Sequence, residues 1–137
     1  MTLNSQSTIL SMLHGRASLR PDDVAFSFTD YTNAPDGVVA QLTWSQLSRR
    51  TLSMARELGR HDSSGDRAVI LAPQSLDYIV AFLGAMQAGL IAVPLPLPHR
   101  GSNDERVGAV FADTSPTRSH TFQRTPSTLP RRSACSA

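Results

Sequence analysis

Apolar and polar residues change their period several times along this chain, and each change marks an element. Between Ser5 and Arg16, Ile9, Leu10, Met12 and Leu13 fall on one side at helical spacing, which predicts a short amphipathic helix. Arg20-Pro21-Asp22-Asp23 is a turn. Val24, Phe26 and Phe28 then alternate with Ala25 and Ser27, which predicts a half-buried strand carrying the larger set on one face. The turn residues Asn33-Ala34-Pro35-Asp36-Gly37 let Val38 to Leu42 return as the second arm of a hairpin. Thr43 with Gln46 three positions on is a capping box, so a helix is expected to start at Trp44. Leu47, Thr51, Met54, Ala55 and Leu58 share its inner face, Arg49, Arg50 and Arg56 lie away from it, and Gly59 is expected to end it.

The densest apolar stretch is Gly65 to Pro98. Arg67 to Leu71 is a short β-rich run that suits a buried strand. Ser75 can cap a following helix, with Asp77 in its first turn near the positive end of the dipole. Leu76, Tyr78, Ile79, Val80, Phe82, Leu83 and Met86 cover nearly every side of that helix, so it is buried on several sides. Gly89 stands where a residue of positive φ is wanted after the last turn. Leu90 to Val93 is a second apolar run, closed by Pro94, Pro96 and Pro98. Strand, helix and strand make a βαβ unit. The rival reading is a membrane-anchored chain, because Leu76 to Pro98 has the length of a bilayer span and Asp77 is its only charge. Gln87 at mid-depth, Gly84 and Gly89, and the three alternating prolines oppose it.

Beyond the βαβ unit, Ser102 and Glu105 form a second capping box, predicting a helix from Asn103 to about Ala112 that carries Val107, Val110 and Phe111. From Thr117 the periodicity stops. The remaining residues are rich in Arg, Ser, Thr and Pro and poor in large apolar side chains, so residues 117–137 are expected to be a disordered tail behind a folded unit of 1–116. The abruptness of the change suggests that the original reading frame ends near Thr117.

A length of 137 residues allows one domain, and the 40% hydrophobic content is low for a fully packed one because the tail dilutes it. The net charge of +2 comes from scattered residues, so a nucleic-acid partner is not expected. All thirteen basic residues are arginine, which removes lysine as a nucleophile or phosphate clamp. Cys135 is the single cysteine, so no intrachain disulfide can form, and the first sixteen residues lack the basic start and long apolar core of a signal peptide. The chain reads as cytoplasmic.

Candidate chemistry is sparse. His14, His61, His99 and His120 lack ligand spacing and read as dispersed surface histidines. Ser75 lacks the G-x-S-x-G elbow of a nucleophile and reads as a helix cap. Asp104 and Glu105 are adjacent on a helix and do not face each other as an acid/base pair would. Gly84, Gly89 and Gly101 are too sparse for a phosphate cradle, and Arg131-Arg132 reads as a solvated pair. No catalytic, cofactor-binding or metal-binding residue is named.

The order of these segments resembles the opening of the adenylate-forming, AMP-binding enzyme superfamily. The matching pieces are Arg20-Pro21 with Ala25-Phe26, LTWSQLSRR from Leu42, GDRAVIL from Gly65, and Phe82 through Gly89-Leu-Ile-Ala-Val-Pro94. The phrase LDYIVAFLGAMQAGLIAVPLPLP, followed by DERV from Asp104 and by ADTSP, is most similar to fatty-acyl-AMP ligases of mycobacterial type. The resemblance covers Thr8 to Thr117. It implies an α/β fold, with a hairpin and a βαβ unit forming the opening portion of a large N-terminal domain. It also implies activation of a fatty acid by ATP with magnesium, giving an acyl-adenylate that passes to a carrier protein or to CoA. The family's Ser/Thr/Gly-rich phosphate loop with its lysine has no counterpart in this sequence. The later adenine segment, the ribose-binding aspartate and the C-terminal catalytic lysine are missing too. The chain is therefore expected to be a truncated ligase without activity of its own. The alternatives are an interaction module pairing through an open sheet edge and a small membrane-anchored protein.

Overall fold

The computed structural model describes residues 8–95, 108–109, 112 and 118–121. The first helix, α1, spans Ile9–Leu19. Thr8 caps it by accepting a hydrogen bond from the Ser11 N–H at 3.1 Å. The expected start at Ser5 lies outside the described residues. The helix runs three residues past Arg16, because nothing opposes it until Pro21 restricts Arg20.

Strands β1 (Val24–Asp30) and β2 (Val38–Thr43) form the expected antiparallel hairpin. Its tight turn needs Gly37, whose φ is 74° and where any side chain would collide with Thr29 and Tyr31. One expectation is corrected. The register slips between Val24 and Phe26, a β-bulge that makes Ala25 the extra residue. Ala25 and Phe28 therefore pack against the core, Phe26 faces the same side, and Val24 is left exposed.

Helix α2 (Trp44–Gly59) opens with both bonds of the capping box: Gln46 N–H to Thr43 Oγ1 at 3.2 Å and Thr43 N–H to Gln46 Oε1 at 2.9 Å. Its start is tied to the turn before β1, since Trp44 and Ser45 donate their N–H groups to the carbonyls of Asp23 and Pro21. Gly59 is the last helical residue rather than a left-handed cap; the helix closes on Arg60 in ordinary right-handed geometry.

Strand β3 (Arg67–Leu71), helix α3 (Leu76–Gln87) and strand β4 (Ile91–Leu95) form the predicted βαβ unit, with β3 and β4 parallel and Val69 opposite Val93. Helix α3 ends in a Schellman motif. Gly89 has φ of 79°, its N–H reaches the Met86 carbonyl, and Leu90 N–H reaches the Ala85 carbonyl. Leu90 and Ala85 then meet in one buried cluster with Leu58 and Ala68. Strand β4 starts one residue later than the apolar run suggested and includes Pro94, whose nitrogen carries no hydrogen to donate and which is tolerated because β4 is an edge strand of the described sheet.

Of the tail expected to be disordered, 117–137, only residues 118–121 are described, and they form a strand; the remainder lies outside the described residues. Arg118–Thr121 is strand β5, parallel to β3 on the side opposite β4, with Val69 opposite Ser119. A ladder is made by main-chain groups, so a polar segment can complete the open edge of β3. Gly108, Ala109 and Ala112 are helical, as predicted for 103–112, while the Ser102–Glu105 capping box lies outside the described residues.

The main core joins Leu13, Leu42, Leu47, Leu76, Val80 and Leu83, so α1, the hairpin, α2 and α3 share one interior. Helices α2 and α3 come close because Gly84 has no side chain; a methyl group there would lie 2.6 Å from Met54 Cβ. The membrane-anchor alternative fails on these elements. Helix α3 has twelve residues before Gly89 turns the chain, and among the described residues no helix is long and apolar enough to cross a membrane.

Candidate functional site

Of the residues weighed from sequence, Ser75 is the cap it was expected to be, accepting from Tyr78 N–H at 3.2 Å. Asp77 sits in the first turn of α3 and also pairs with Arg50 of α2 at 2.5 Å. Gly84 and Gly89 serve packing and helix termination. His61 stands 4.0 Å from Glu57 on the solvent side. His120 lies in β5, and His99, Gly101, Asp104, Glu105, Arg131, Arg132 and Cys135 lie outside the described residues. Among the described residues no group of three or more His, Cys, Asp or Glu could hold a metal.

His14 departs from its reading as a dispersed surface histidine. It is half-buried, with Nε2 at 3.0 Å from Gln87 Oε1 and Nδ1 at 3.4 Å from Ser48 Oγ. The neutral tautomer protonated on Nε2 satisfies both partners, donating to Gln87 and accepting from Ser48. The imidazole thus bridges α1, α2 and α3. Its partners lie 34 and 73 positions away, so no local motif announces it.

The structure adds a feature that the sequence reading missed. Helices α1 and α3, strand β1 and the first turn of α2 enclose an apolar groove of about 460 Å³. Buried Leu13, Leu47 and Leu83 form its floor. Its rim carries Ile9, Met12 and Phe26, which are 52%, 55% and 38% exposed. Arg16 is the single charged residue lining it, and its guanidinium carbon lies 5.9 Å from the Trp44 ring centroid in a cation–π contact. Exposed apolar side chains that converge on one concavity mark a binding surface more than the same residues scattered singly. The helical spacing of Ile9, Met12 and Leu13 was the available signal, but it predicts an amphipathic helix without saying what its apolar side borders.

A profile of the AMP-binding enzyme family matches residues 13–130. The chain belongs to that family. This AMP-binding family member is 68% identical over 110 residues to fadD21 of Mycobacterium leprae (strain TN), which carries a fatty-acid–CoA ligase name. It is 59% identical over 109 residues to the long-chain-fatty-acid–AMP ligase FadD23 of Mycobacterium tuberculosis. Each match takes in 80% of this chain and 19% of the relative, so the chain spans about a fifth of the length of these proteins. The fold is that of the fatty acyl-adenylate ligase from L. pneumophila solved with acyl adenylate and pyrophosphate. That comparison has a TM-score of 0.74 at 24% identity and covers 82% of this chain and 19% of that one. The hairpin and βαβ unit are thus the opening elements of an adenylate-forming fold. The family match also runs past Thr117, where the sequence reading had placed the end of the resemblance.

Proposed function

We propose that this chain is the opening portion of a fatty-acyl-AMP ligase, whose family-length form joins a fatty acid to AMP in the cytoplasm. The carboxylate attacks the α-phosphorus of ATP, an acyl-adenylate forms and pyrophosphate leaves. The acyl group then moves to a carrier-protein thiol or to CoA, releasing AMP. Magnesium neutralises the phosphate oxygens in such transfers. The observation that carries this reading is the 68% identity to fadD21 over 110 residues, together with a family match across 13–130. Nothing in the sequence offers a lysine to the phosphates or to the carboxylate, so the chain alone is proposed to be inactive.

Fatty-acid-dependent exchange of pyrophosphate into ATP tests both halves. The 137-residue chain is expected to give none. A chimaera carrying residues 8–117 in place of the matching opening of fadD21 is expected to turn over. Robust exchange by the short chain overturns the claim of inactivity. A folded chimaera that binds ATP yet shows no fatty-acid dependence overturns the ligase reading.

A further inference from the structure

We propose that α1 docks on an anionic lipid surface, lying in the interface with an apolar stripe toward the acyl chains and Arg16 and Arg20 among the head groups. Ile9, Met12, Arg16 and Leu19 are spaced i, i+3, i+7 and i+10, so they form one stripe along the helix. Three of the four are large apolar side chains, and Leu19, at 82%, is the most exposed of them. Phe26 of β1 continues the stripe across the mouth of the groove, whose rim it shares with Ile9 and Met12. Apolar side chains gathered on one surface in this way mark an interaction site. Charge selects the occupant. No Asp or Glu precedes Asp22 in the sequence, so α1 meets an anionic surface with arginine and no carboxylate of its own. Arg16 lies between Met12 and Leu19 on the stripe. Arg20 caps the helix and faces Asp23 only across 3.6 Å, with both side chains largely in water, a weak contact that a head group can replace. Helices with this pairing of apolar and basic residues settle about 5–10 Å into the boundary between head groups and acyl chains. Trp44, beneath the Arg16 guanidinium, brings an indole to the same rim, where its amphipathic ring suits the head-group level. The eleven residues of α1 lie on a bilayer and do not span it. The inference rests on α1 and its surroundings and needs no ATP chemistry.

The 137-residue chain is sedimented with vesicles of phosphatidylglycerol and phosphatidylcholine in equal parts, with vesicles of phosphatidylcholine alone, and without vesicles as the control for aggregation. Binding to the anionic vesicles is expected, weaker by about twentyfold on the neutral ones, since each arginine near an anionic surface contributes about fivefold. Trp44 is the only tryptophan in the chain, and its emission should be quenched when the acyl chains carry bromine. Arg16→Gln combined with Arg20→Gln should erase the preference for anionic vesicles. Leu19→Glu, at a side chain largely in water, should weaken binding by about tenfold or more with the circular dichroism spectrum unchanged. Ile91→Glu, on β4 and as exposed as Ile9, should bind as the parent does. The proposal is overturned by the absence of vesicle binding, by equal binding to neutral vesicles, by unimpaired binding in a folded Leu19→Glu protein, or by an equal loss in Ile91→Glu. A dimer on gel filtration that ignores vesicles overturns it too, because a second copy then covers the stripe. So does a folded fadD21 chimaera that stays in the supernatant while the short chain sediments, because the stripe then belongs to the interior of the longer protein. ATP is absent throughout, so failure here leaves the ligase reading untouched.

Discussion

Met54 on α2 lies directly over Gly84 on α3, and a methyl group at Gly84 would fall 2.6 Å from the Met54 Cβ. The two helices approach as they do because one of them has no side chain at the crossing. Gly84→Ala trades a gain of about 1 kcal/mol in helix propensity against about 1–3 kcal/mol of overpacking. A net loss is expected. Gly15→Ala is the control, since nothing lies within 4 Å of a methyl group at that helical position. It should stabilise by about 0.5–1 kcal/mol. Urea midpoints moving in opposite directions for the two variants are the expected result, and a stabilised Gly84→Ala would show that the helices part freely.

Thr51 is fully buried on α2, and its Oγ1 has no hydrogen-bond partner among the described residues. A buried hydroxyl left unsatisfied costs about 1–3 kcal/mol of desolvation. Thr51→Val removes the cost and keeps the shape. It should raise stability by about 1 kcal/mol. A loss on equilibrium unfolding would mean that a bound water completes the hydroxyl.

The bridge from His14 to Gln87 and Ser48 makes a coupling prediction. A double-mutant cycle with His14→Leu and Gln87→Leu should yield an interaction of about 0.5–1.5 kcal/mol, the worth of one ordinary hydrogen bond. Additive losses in urea unfolding would show that the imidazole and the amide do not meet in solution.

Gly89→Ala asks an alanine to hold φ at 79° beside Ser64, whose Oγ would lie 2.9 Å from the new methyl group. A cost of about 1–2 kcal/mol for the left-handed conformation is expected. Arg50→Ala should cost less than about 1 kcal/mol, since its pair with Asp77 is part-exposed to water. Comparing the two thermal midpoints checks the ranking.

Elements with local signatures were legible before any coordinates. The Thr43–Gln46 box, the Ser75 cap and the Gly89 terminus are each written within four residues, and each formed where its chemistry demanded. The features that sequence hid depend on distant partners. The bulge at Ala25 is fixed by register against β2. The role of His14 depends on residues of two other helices. The polar residues 118–121 became a strand because β3 offered an edge, which their own composition could not reveal. The groove stayed hidden for the same reason: Arg16 and Trp44 belong to different helices, and the apolar spacing on α1 is the same for a residue that fills a core and one that borders a cavity.

Strand order also fixes an order in time. β3 takes β4 from about twenty residues downstream and β5 from about fifty, on opposite sides. On a chain made from its N-terminus, the β3–α3–β4 unit can close while Arg118 is still unsynthesised, because short loops close first and cost least. Until Arg118–Thr121 arrives, one whole edge of β3 stands with its main-chain donors and acceptors open. The last four residues of the described fold are therefore its lock, and a nascent chain paused before them is the species most exposed to pairing with the wrong strand.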